Sequence, residues 1–202
     1  VTDLSVLSFR NESIKWFNEF QYFTSVTKIP DLMFSGCTAL RSIVLPDGII
    51  EIGSSAFSSC SSLKEIILPE SLTTIGSGAF SGCKDIKSMI IPNTVNKIDN
   101  FAFHNCTSLS SITLSNNIST INRCVFQGCT SLLSVNIPKG VTYIENGAFN
   151  GCTNLFSVDL PDGLIGISKW AEYRDDGAFR GCISLSSITI PETVEFLGND
   201  TF

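Results

Sequence analysis

The side chains that could perform chemistry are few and widely separated in this sequence. The single histidine, His104, stands in a predicted turn, and the sequence contains no G-x-S-x-G, HExxH, P-loop or dinucleotide-binding motif. Asp175 and Asp176 are adjacent carboxylates, but a Ca²⁺ site needs further oxygen ligands. The sequence therefore predicts that the protein is not an enzyme and binds no cofactor or metal.

Cysteine is the reactive residue type that follows a pattern. Seven of the eight cysteines recur at one position, namely Cys37, Cys60, Cys83, Cys106, Cys129, Cys152 and Cys182. Disulfides, a zinc site and free thiols are the three interpretations. Parallel side chains about 5 Å apart do not aim their sulfurs at one another, and the C-x₂-C pairs typical of zinc sites are missing from the sequence. We favour reduced, buried thiols, with Cys124, outside the column, as the most exposed or reactive.

The cysteine spacing belongs to a repeat that phenylalanine marks most clearly. The phenylalanine column consists of Phe34, Phe57, Phe80, Phe103, Phe126, Phe149, Phe179 and Phe202. Each member stands at the twenty-third position after the one before it, except that the step from Phe149 to Phe179 is seven positions longer. Aliphatic columns lie six, nine, eleven, fifteen and eighteen positions after each phenylalanine. A fixed period of this length predicts a solenoid, in which stacked coils bury one continuous core.

The spacing within each coil predicts short β-strands. The pattern Leu-x-x-Ile-x-Leu alternates inward and outward residues, and the proline that usually follows stops the strand. We expect parallel strands, stacked into one sheet, near residues 42–45, 65–68, 88–91, 111–114, 134–137, 157–160 and 187–190. Second short strands are expected at stretches such as 72–75 and 141–144, with a tight turn or one turn of 3₁₀ helix at Gly-Ala-Phe-x-Gly-Cys. The predicted fold class is a β-rich repeat solenoid, right-handed by the crossover rule.

The repeat unit resembles that of a known family. One copy comprises Ile66–Pro69, Leu72, Ile75–Gly76, Ala79–Phe80 and Cys83. It is similar to the 23-residue leucine-rich repeat of the BspA-like family of bacterial surface proteins, and the resemblance covers residues 26–202. It implies a leucine-rich-repeat coil in an exported, surface-attached protein that adheres to host proteins, matrix or other cells and lacks catalytic residues. The matching positions are structural, so no ligand-binding residue is implied.

The two ends of the chain depart from the repeat. Residues 11–23 lack the cysteine and Leu-Pro landmarks and carry apolar residues at helical spacing, among them Phe17 and Phe20. This predicts a short amphipathic helix that, with a degenerate coil, forms an N-terminal cap at residues 1–25. The solenoid would then occupy residues 26–202 in about seven coils. The last coil is expected to be open, and either continues in a longer protein or serves self-association.

The charge and hydropathy of the chain exclude several classes of partner. The formal net charge is −6, and the 13 Lys and Arg residues are dispersed without a basic stripe, which argues against nucleic acid binding. No apolar stretch approaches the length of a transmembrane helix, so membrane attachment would require an anchor outside this chain. The chain begins at Val1 without a signal peptide, and we expect a trimmed or mature start. An extracellular or cell-surface location is expected from the resemblance.

Because the core columns serve the fold, a binding surface must lie where the coils differ. Ten positions after each phenylalanine, the outward residue is aliphatic in three coils, at Val44, Ile67 and Ile90, and polar in the four later ones. Leu133 and Phe156 are apolar at a position where other coils carry a basic residue or serine. Solenoids bind partners on such sheet faces, although scattered surface apolar residues need no explanation. These five residues are candidate partner-binding residues.

The second departure from the repeat is an insertion near residues 168–176, which lengthens one coil by seven positions. Trp170, Tyr173 and Arg174 in this insertion are residue types enriched at binding hot spots, and insertions in repeats often lie on the binding side. Alternatively, Trp170 and Tyr173 fold back and cover the neighbouring coil. We expect recognition by this loop rather than by the serine-lined sheet face.

Two functions from different classes follow. The first is a non-enzymatic surface adhesion module that binds a protein or matrix ligand. The alternative is a carbohydrate-binding or spacer domain of a larger exported protein, for which a glycan is the partner. The repeat architecture, the family resemblance and the lack of catalytic motifs favour the first function, whereas the unfinished last coil and the aromatic residues of the insertion suggest the second.

Overall fold

The predicted solenoid is confirmed by the structure. The computed structural model describes residues 9–10, 13–168 and 177–202, which form a parallel β-solenoid of short strands with almost no helix. Each coil but the last contributes one strand to a first face and one to a second face, and a turn that contains the column phenylalanine closes the coil. The aliphatic, phenylalanine and cysteine columns fill the interior between these sides.

The first face carries the Leu-x-x-Ile-x-Leu strands. Its strands are β1 (Trp16–Phe17), β3 (Ser42–Ile43), β5 (Glu65–Ile66), β7 (Ser88–Ile90), β9 (Ser111–Thr113), β11 (Ser134–Asn136) and β13 (Ser157–Asp159). They are two or three residues long, shorter than predicted. The expected single sheet divides into three parallel ladders, in the orders β1-β3-β5, β7-β9 and β11-β13. The ladders follow one another along the same side of the stack.

The second face is more continuous than the sequence suggested. Its strands are β2 (Lys28–Ile29), β4 (Glu51–Ile52), β6 (Thr74–Ile75), β8 (Lys97–Ile98), β10 (Thr120–Ile121), β12 (Tyr143–Ile144), β14 (Gly166–Ile167) and β15 (Phe196–Leu197). They form two four-stranded parallel sheets, β2-β4-β6-β8 and β10-β12-β14-β15, in which equivalent isoleucines pair, as Ile29 does with Ile52. The expected strands at 72–75 and 141–144 shorten to their last two residues.

The turn side forms a third hydrogen-bonded ladder. The N–H of Phe57 donates to the oxygen of Ala79 in the next coil at 2.8 Å, whereas the N–H of Cys60 closes a turn onto Phe57 at 3.1 Å. Residues two positions before and after each phenylalanine have left-handed backbones in most coils, as at Gly147 (φ 67°) and Gly151 (φ 72°). Glycine adopts this conformation without a steric penalty. The left-handed backbone at these two positions explains why glycine and other small residues are common around the phenylalanine.

The phenylalanine column is a continuous stack of parallel rings. Neighbouring rings lie 5.2–5.6 Å apart between Phe34 and Phe179, with interplanar angles of 17° or less. The stack continues to Phe202 at one end and to Phe9 at the other, where the Phe9 and Phe34 rings lie 5.5 Å apart at 6°. Phe9 is therefore the phenylalanine of a preceding coil. It escaped the sequence pattern because its separation from Phe34 along the chain exceeds the period by two positions.

The helix predicted over residues 11–23 is only partly present within its described part. Trp16–Phe17 form a strand that pairs in parallel with Ser42–Ile43, and a 3₁₀ helix follows at Asn18–Tyr22. Phe20 is buried and packs edge-on against Phe34 at 5.8 Å, so apolar burial accounts for the helical spacing. Strand pairing thus begins at Trp16, before the expected cap boundary. Within the described residues no helix is long and apolar enough to cross a bilayer.

The strand expected at residues 187–190, in the last coil, was predicted wrongly. This segment is not a strand in the structure, and its inward residues Ile188 and Ile190 are only half-buried. The same coil does pair on the second face, where β15 lies beside β14. A coil with a neighbour on one side alone has half of the packing that holds the other strands in register, so its first face stays irregular.

Candidate functional site

The exposed apolar residues on the first face form a row that crosses three coils. Val44, Ile67 and Ile90 are 41%, 86% and 74% exposed, respectively. Their neighbours on either side in the chain point into the core, because successive residues of a strand face opposite ways. Coils that stack about 4.8 Å apart place the three side chains side by side. We call Val44, Ile67 and Ile90 the aliphatic strip.

Three adjoining grooves run along the aliphatic strip. The first, of about 500 Å³, is lined by Val44, Asp47 and Ile67, and the second, of about 430 Å³, by Ile67, Glu70 and Ile90. A third groove of about 400 Å³ continues from Ile90 across the polar part of the face to Asn136. The grooves exist because buried prolines end the strands and the chain then bends away at the corner of each coil.

Charged side chains flank the aliphatic strip on both sides. Seven positions after the column phenylalanine lie Arg41, Lys64 and Lys87, which we call the basic ladder. Thirteen positions after it lie Asp47 and Glu70, which we call the acidic edge. All five side chains are exposed, and Lys64 and Glu70 line opposite sides of one groove. The acidic edge was not predicted from the sequence, although the charge at this fixed position could have revealed it.

The remaining candidates lie elsewhere. Leu133 and Phe156 are 46% and 56% exposed and occupy the position of the basic ladder in later coils, where the N–H of Phe156 donates to the oxygen of Leu133 at 2.9 Å. They form a pair of their own, and the structure does not bring them onto the aliphatic strip. Trp170, Tyr173 and Arg174 lie outside the described residues, so the recognition loop stays a prediction.

The buried thiols have a structural partner that the sequence did not suggest. Each thiol of the cysteine column donates to the carbonyl oxygen of the phenylalanine in the preceding coil, at 2.7 Å for Cys37 and Phe9 and at 3.1–3.2 Å for the six others. The sulfurs are therefore directed at carbonyl groups rather than at one another. Burial raises the pKa of the Cys60 and Cys106 thiols to about 12. The buried position predicted for this column is confirmed.

The prediction that Cys124 is exposed or reactive is wrong. Cys124 is 2% exposed and has a left-handed backbone, with φ of 54°. Its sulfur occupies the space beneath Gly147, where a Cβ atom would lie 2.7 Å from that sulfur. Cys124 thus packs on the turn side of the solenoid, where Gly147 of the next coil leaves room for its sulfur.

The single histidine has structural contacts. The Nδ1 atom of His104 lies 3.4 Å from the hydroxyl oxygen of Ser81, and its ring meets the ring of Phe101 edge-on at 5.8 Å. Partial burial lowers the pKa of His104. Among the described residues, no group of three or more His, Cys, Asp or Glu side chains could hold a metal ion. The aliphatic strip with its charged flanks is therefore the candidate site.

The sequence of the chain matches the BspA type leucine rich repeat region in six copies, over residues 4–133 and 175–202. The chain belongs to the BspA-type leucine-rich repeat family. The match begins well before Val26, in agreement with the strand pairing seen at Trp16. No curated protein matches the chain.

Solved structures of leucine-rich repeat proteins have the same fold. A leucine-rich repeat protein from Bacteroides ovatus is 32% identical, with a TM-score of 0.77 over 87% of this chain and 43% of that one. The T. pallidum leucine rich repeat protein is 32% identical, with a TM-score of 0.70 over 85% of this chain and 74% of that one. A leucine rich cell surface protein from Faecalibacterium prausnitzii is 25% identical, with a TM-score of 0.55 over 85% and 57% of the two chains. This chain thus spans less than half of the Bacteroides ovatus protein.

Membership of the BspA-type family agrees with the side chains of the site. The positions that repeat are the core columns, and the family is not known for catalysis. The outward residues of the first face differ from coil to coil instead, and there an aliphatic strip lies between opposite charges. A surface of this kind suits protein recognition, for which repeat folds supply extended faces.

Proposed function

We propose that this protein is a non-enzymatic binding module at the bacterial cell surface, and that it attaches to a protein or matrix partner through the aliphatic strip and its grooves. The observation that carries the proposal is the run of three exposed aliphatic side chains on neighbouring coils of the first face. Two of them, Ile67 and Ile90, are exposed by 86% and 74%. Contiguous apolar surface of this kind commonly marks an interaction site.

The surface location rests on similarity. A relative from Faecalibacterium prausnitzii is described as a cell surface protein, and the repeats of the BspA-type family occur in bacterial surface antigens. The apolar floor of the grooves suits a protein ligand better than a glycan, because sugars usually stack on aromatic rings and the strip contains none. Carbohydrate binding is therefore an outcome for the test to exclude.

Binding of the folded chain to an array of purified extracellular-matrix proteins and to a glycan array tests this function. Ile67→Asp should weaken protein binding at least tenfold, because it places a charge in the groove. Ile50→Asp is the matched control, since Ile50 is an isoleucine exposed by 46% outside the face and its grooves. Binding that survives Ile67→Asp but is lost on Trp170→Ala with Tyr173→Ala would move the site to the insertion. Binding to glycans alone, or to neither array and not to immobilised copies of the chain itself, would contradict the proposal.

A further inference from the structure

The charges around the aliphatic strip follow an order that is complementary to itself. Along each strand the basic ladder comes first, the aliphatic strip second and the acidic edge third, and Lys64, Ile67 and Glu70 show this order in one groove. The same order holds in the preceding coil, at Arg41, Val44 and Asp47. A surface with opposite charges on the two sides of an apolar row can face a rotated copy of itself.

One rotation brings all of these features into register. A two-fold axis parallel to the stacking direction, between two facing surfaces, reverses the order along the strand and keeps the order of the coils. The two aliphatic strips then meet, and each basic ladder lies opposite the acidic edge of the other copy. A two-fold axis along the strands would instead place the basic ladder of one copy against the basic ladder of the other, and the repulsion between like charges would oppose this contact.

We propose that this half of the first face, formed by residues 41–47, 64–70 and 87–92, binds the same half of a second copy of the chain about such an axis. The inference rests on the proposed function, because it names the protein partner of the same surface as the chain itself. Adhesion by this module would then be homophilic, between copies on one cell or on two.

The charges on the two sides balance. The basic ladder contributes three positive charges, and Glu65, which lies beside it on the face, contributes one negative charge, which gives +2 against −2 for Asp47 and Glu70. The ion pairs among the described residues join Lys28 to Asp31 and Glu51, and Lys97 to Asp99. The basic ladder and the acidic edge take part in none of these ion pairs, so the charges of both are available to a partner.

The size of the surface predicts a weak dimer. Three coils are about 14 Å high, and the face is of similar width, so each copy buries a few hundred Å², less than the roughly 800 Å² per partner of stable complexes. Asp159 would oppose its own counterpart further along the face, which confines the contact to the first coils. Weak contacts of this kind become strong when many copies lie on one surface.

Sedimentation equilibrium of the purified chain, up to about 1 mM, tests the proposal. We expect a reversible dimer that salt weakens and that Ile67→Asp weakens at least tenfold, whereas the matched control Ile50→Asp leaves it unchanged. A monomer throughout this range overturns the inference. If such a monomer still binds a matrix protein through Ile67, the proposed function stands and the homophilic inference alone fails.

Charge reversal gives the sharper test. One variant carries Arg41→Glu, Lys64→Glu and Lys87→Glu, and a second carries Asp47→Lys and Glu70→Lys. Each variant alone opposes like charges on both sides, so its dimer should weaken at least tenfold. An equimolar mixture restores opposite charges on both sides and should form a heterodimer within about threefold of the original affinity. Folded variants, checked by circular dichroism, whose mixture stays monomeric would overturn the two-fold arrangement.

Discussion

At the scale of single residues, the pairing of cysteine with phenylalanine explains why both recur in every coil. The carbonyl oxygen of Phe57 accepts the N–H of Cys60 at 3.1 Å and the thiol of Cys83 at 3.1 Å. Two donors thus satisfy a carbonyl group that is buried away from water, where an unsatisfied acceptor is costly. Cysteine suits the position because its thiol is a weak donor on an otherwise apolar side chain.

The thiol column predicts a loss of stability at alkaline pH. An unfolded thiol ionises near pH 9, whereas burial raises the pKa of Cys60 and Cys106 to about 12 in the folded state. The folded state therefore keeps protons that the unfolded state releases, so stability is full below pH 9 and falls as the pH rises towards 12. Each such thiol lowers the free energy of unfolding by up to about 1.4 kcal/mol per pH unit in this range. Thermal unfolding between pH 8 and 10.5 measures the slope.

The control for this prediction is a variant in which one titrating thiol is replaced. Cys106→Ser keeps a hydrogen-bond donor near the oxygen of Phe80 but has no group that ionises in this range. It should reduce the slope of stability against pH by one proton relative to the unchanged chain. Equal slopes in the two proteins would show that lysine and tyrosine residues, rather than buried thiols, control the alkaline transition.

At the scale of elements, the second face is divided by a joint between β8 and β10. Between other neighbouring coils of this face, a backbone N–H donates to the equivalent isoleucine oxygen of the preceding coil, as Gly76 does to Ile52 at 2.8 Å. At the joint the side-chain amide of Asn122 donates to the oxygen of Ile98 at 2.6 Å. Ser115, which replaces the usual proline, is buried and donates to the oxygen of Val95 at 2.5 Å. At this joint a side-chain hydrogen bond of Asn122 thus takes the place of the backbone bond, whereas the bond of Ser115 has a counterpart in the bond of Ser71 to the oxygen of Ile49 at 2.6 Å.

The burial of Ser115 predicts a specific cost for losing its hydroxyl. Ser115→Ala should reduce the free energy of unfolding by about 1–3 kcal/mol, because it leaves a buried carbonyl group short of a donor. Ser110→Ala is the matched control, since the hydroxyl of Ser110 also donates to a carbonyl oxygen of the preceding coil, that of Lys87, but in an exposed position. It should change stability by less than about 0.5 kcal/mol. If the two variants lose the same free energy of unfolding in urea, the buried hydroxyl of Ser115 contributes no more to stability than the exposed hydroxyl of Ser110.

At the scale of the whole molecule, the stability of the stack depends on contacts between neighbouring coils. Its first coil is covered by a cluster in which Phe17 and Phe20 pack on Phe34. The last coil has no such cover within the described residues, and Phe196, Leu197 and Phe202 are 40–56% exposed. In a solenoid the stability of each repeat is the sum of its own term and those of its interfaces. The last coil should therefore open more readily than the coils inside the stack.

Hydrogen exchange measures this difference on two equivalent amides. The N–H of Gly76 donates to Ile52 at 2.8 Å in the middle of the stack, and the N–H of Gly198 donates to Ile167 at 2.9 Å in the last coil. The bonds are alike, so a difference in exchange reports the opening of the coil rather than the bond itself. Gly198 should exchange at least about 100-fold faster than Gly76. Equal protection of both amides would instead indicate a single cooperative unit.

The sequence by itself determined the period, the core and the order of the coils. A regular spacing of Phe, Cys and aliphatic residues can be satisfied when every coil places the same positions inside, so the columns predicted the solenoid and the outward aliphatic strip without any coordinates. The same logic failed at residues 11–23, where apolar spacing compatible with a helix came from side chains that pack against Phe34. It also failed at Cys124, whose burial depends on a glycine in another coil.

The tertiary structure alone decided what the coils do to one another. The acceptor of each thiol is a phenylalanine of the preceding coil, as with Cys83 and Phe57, and the pairing follows from stacking rather than from either residue. Phe9 joined the column because its ring stacks on Phe34 although its spacing is irregular. The grooves, with the basic ladder on one side and the acidic edge on the other, likewise form between neighbouring coils. A repeat in sequence encodes one coil, whereas recognition surfaces form between coils, and their geometry depends on the distance and direction of stacking.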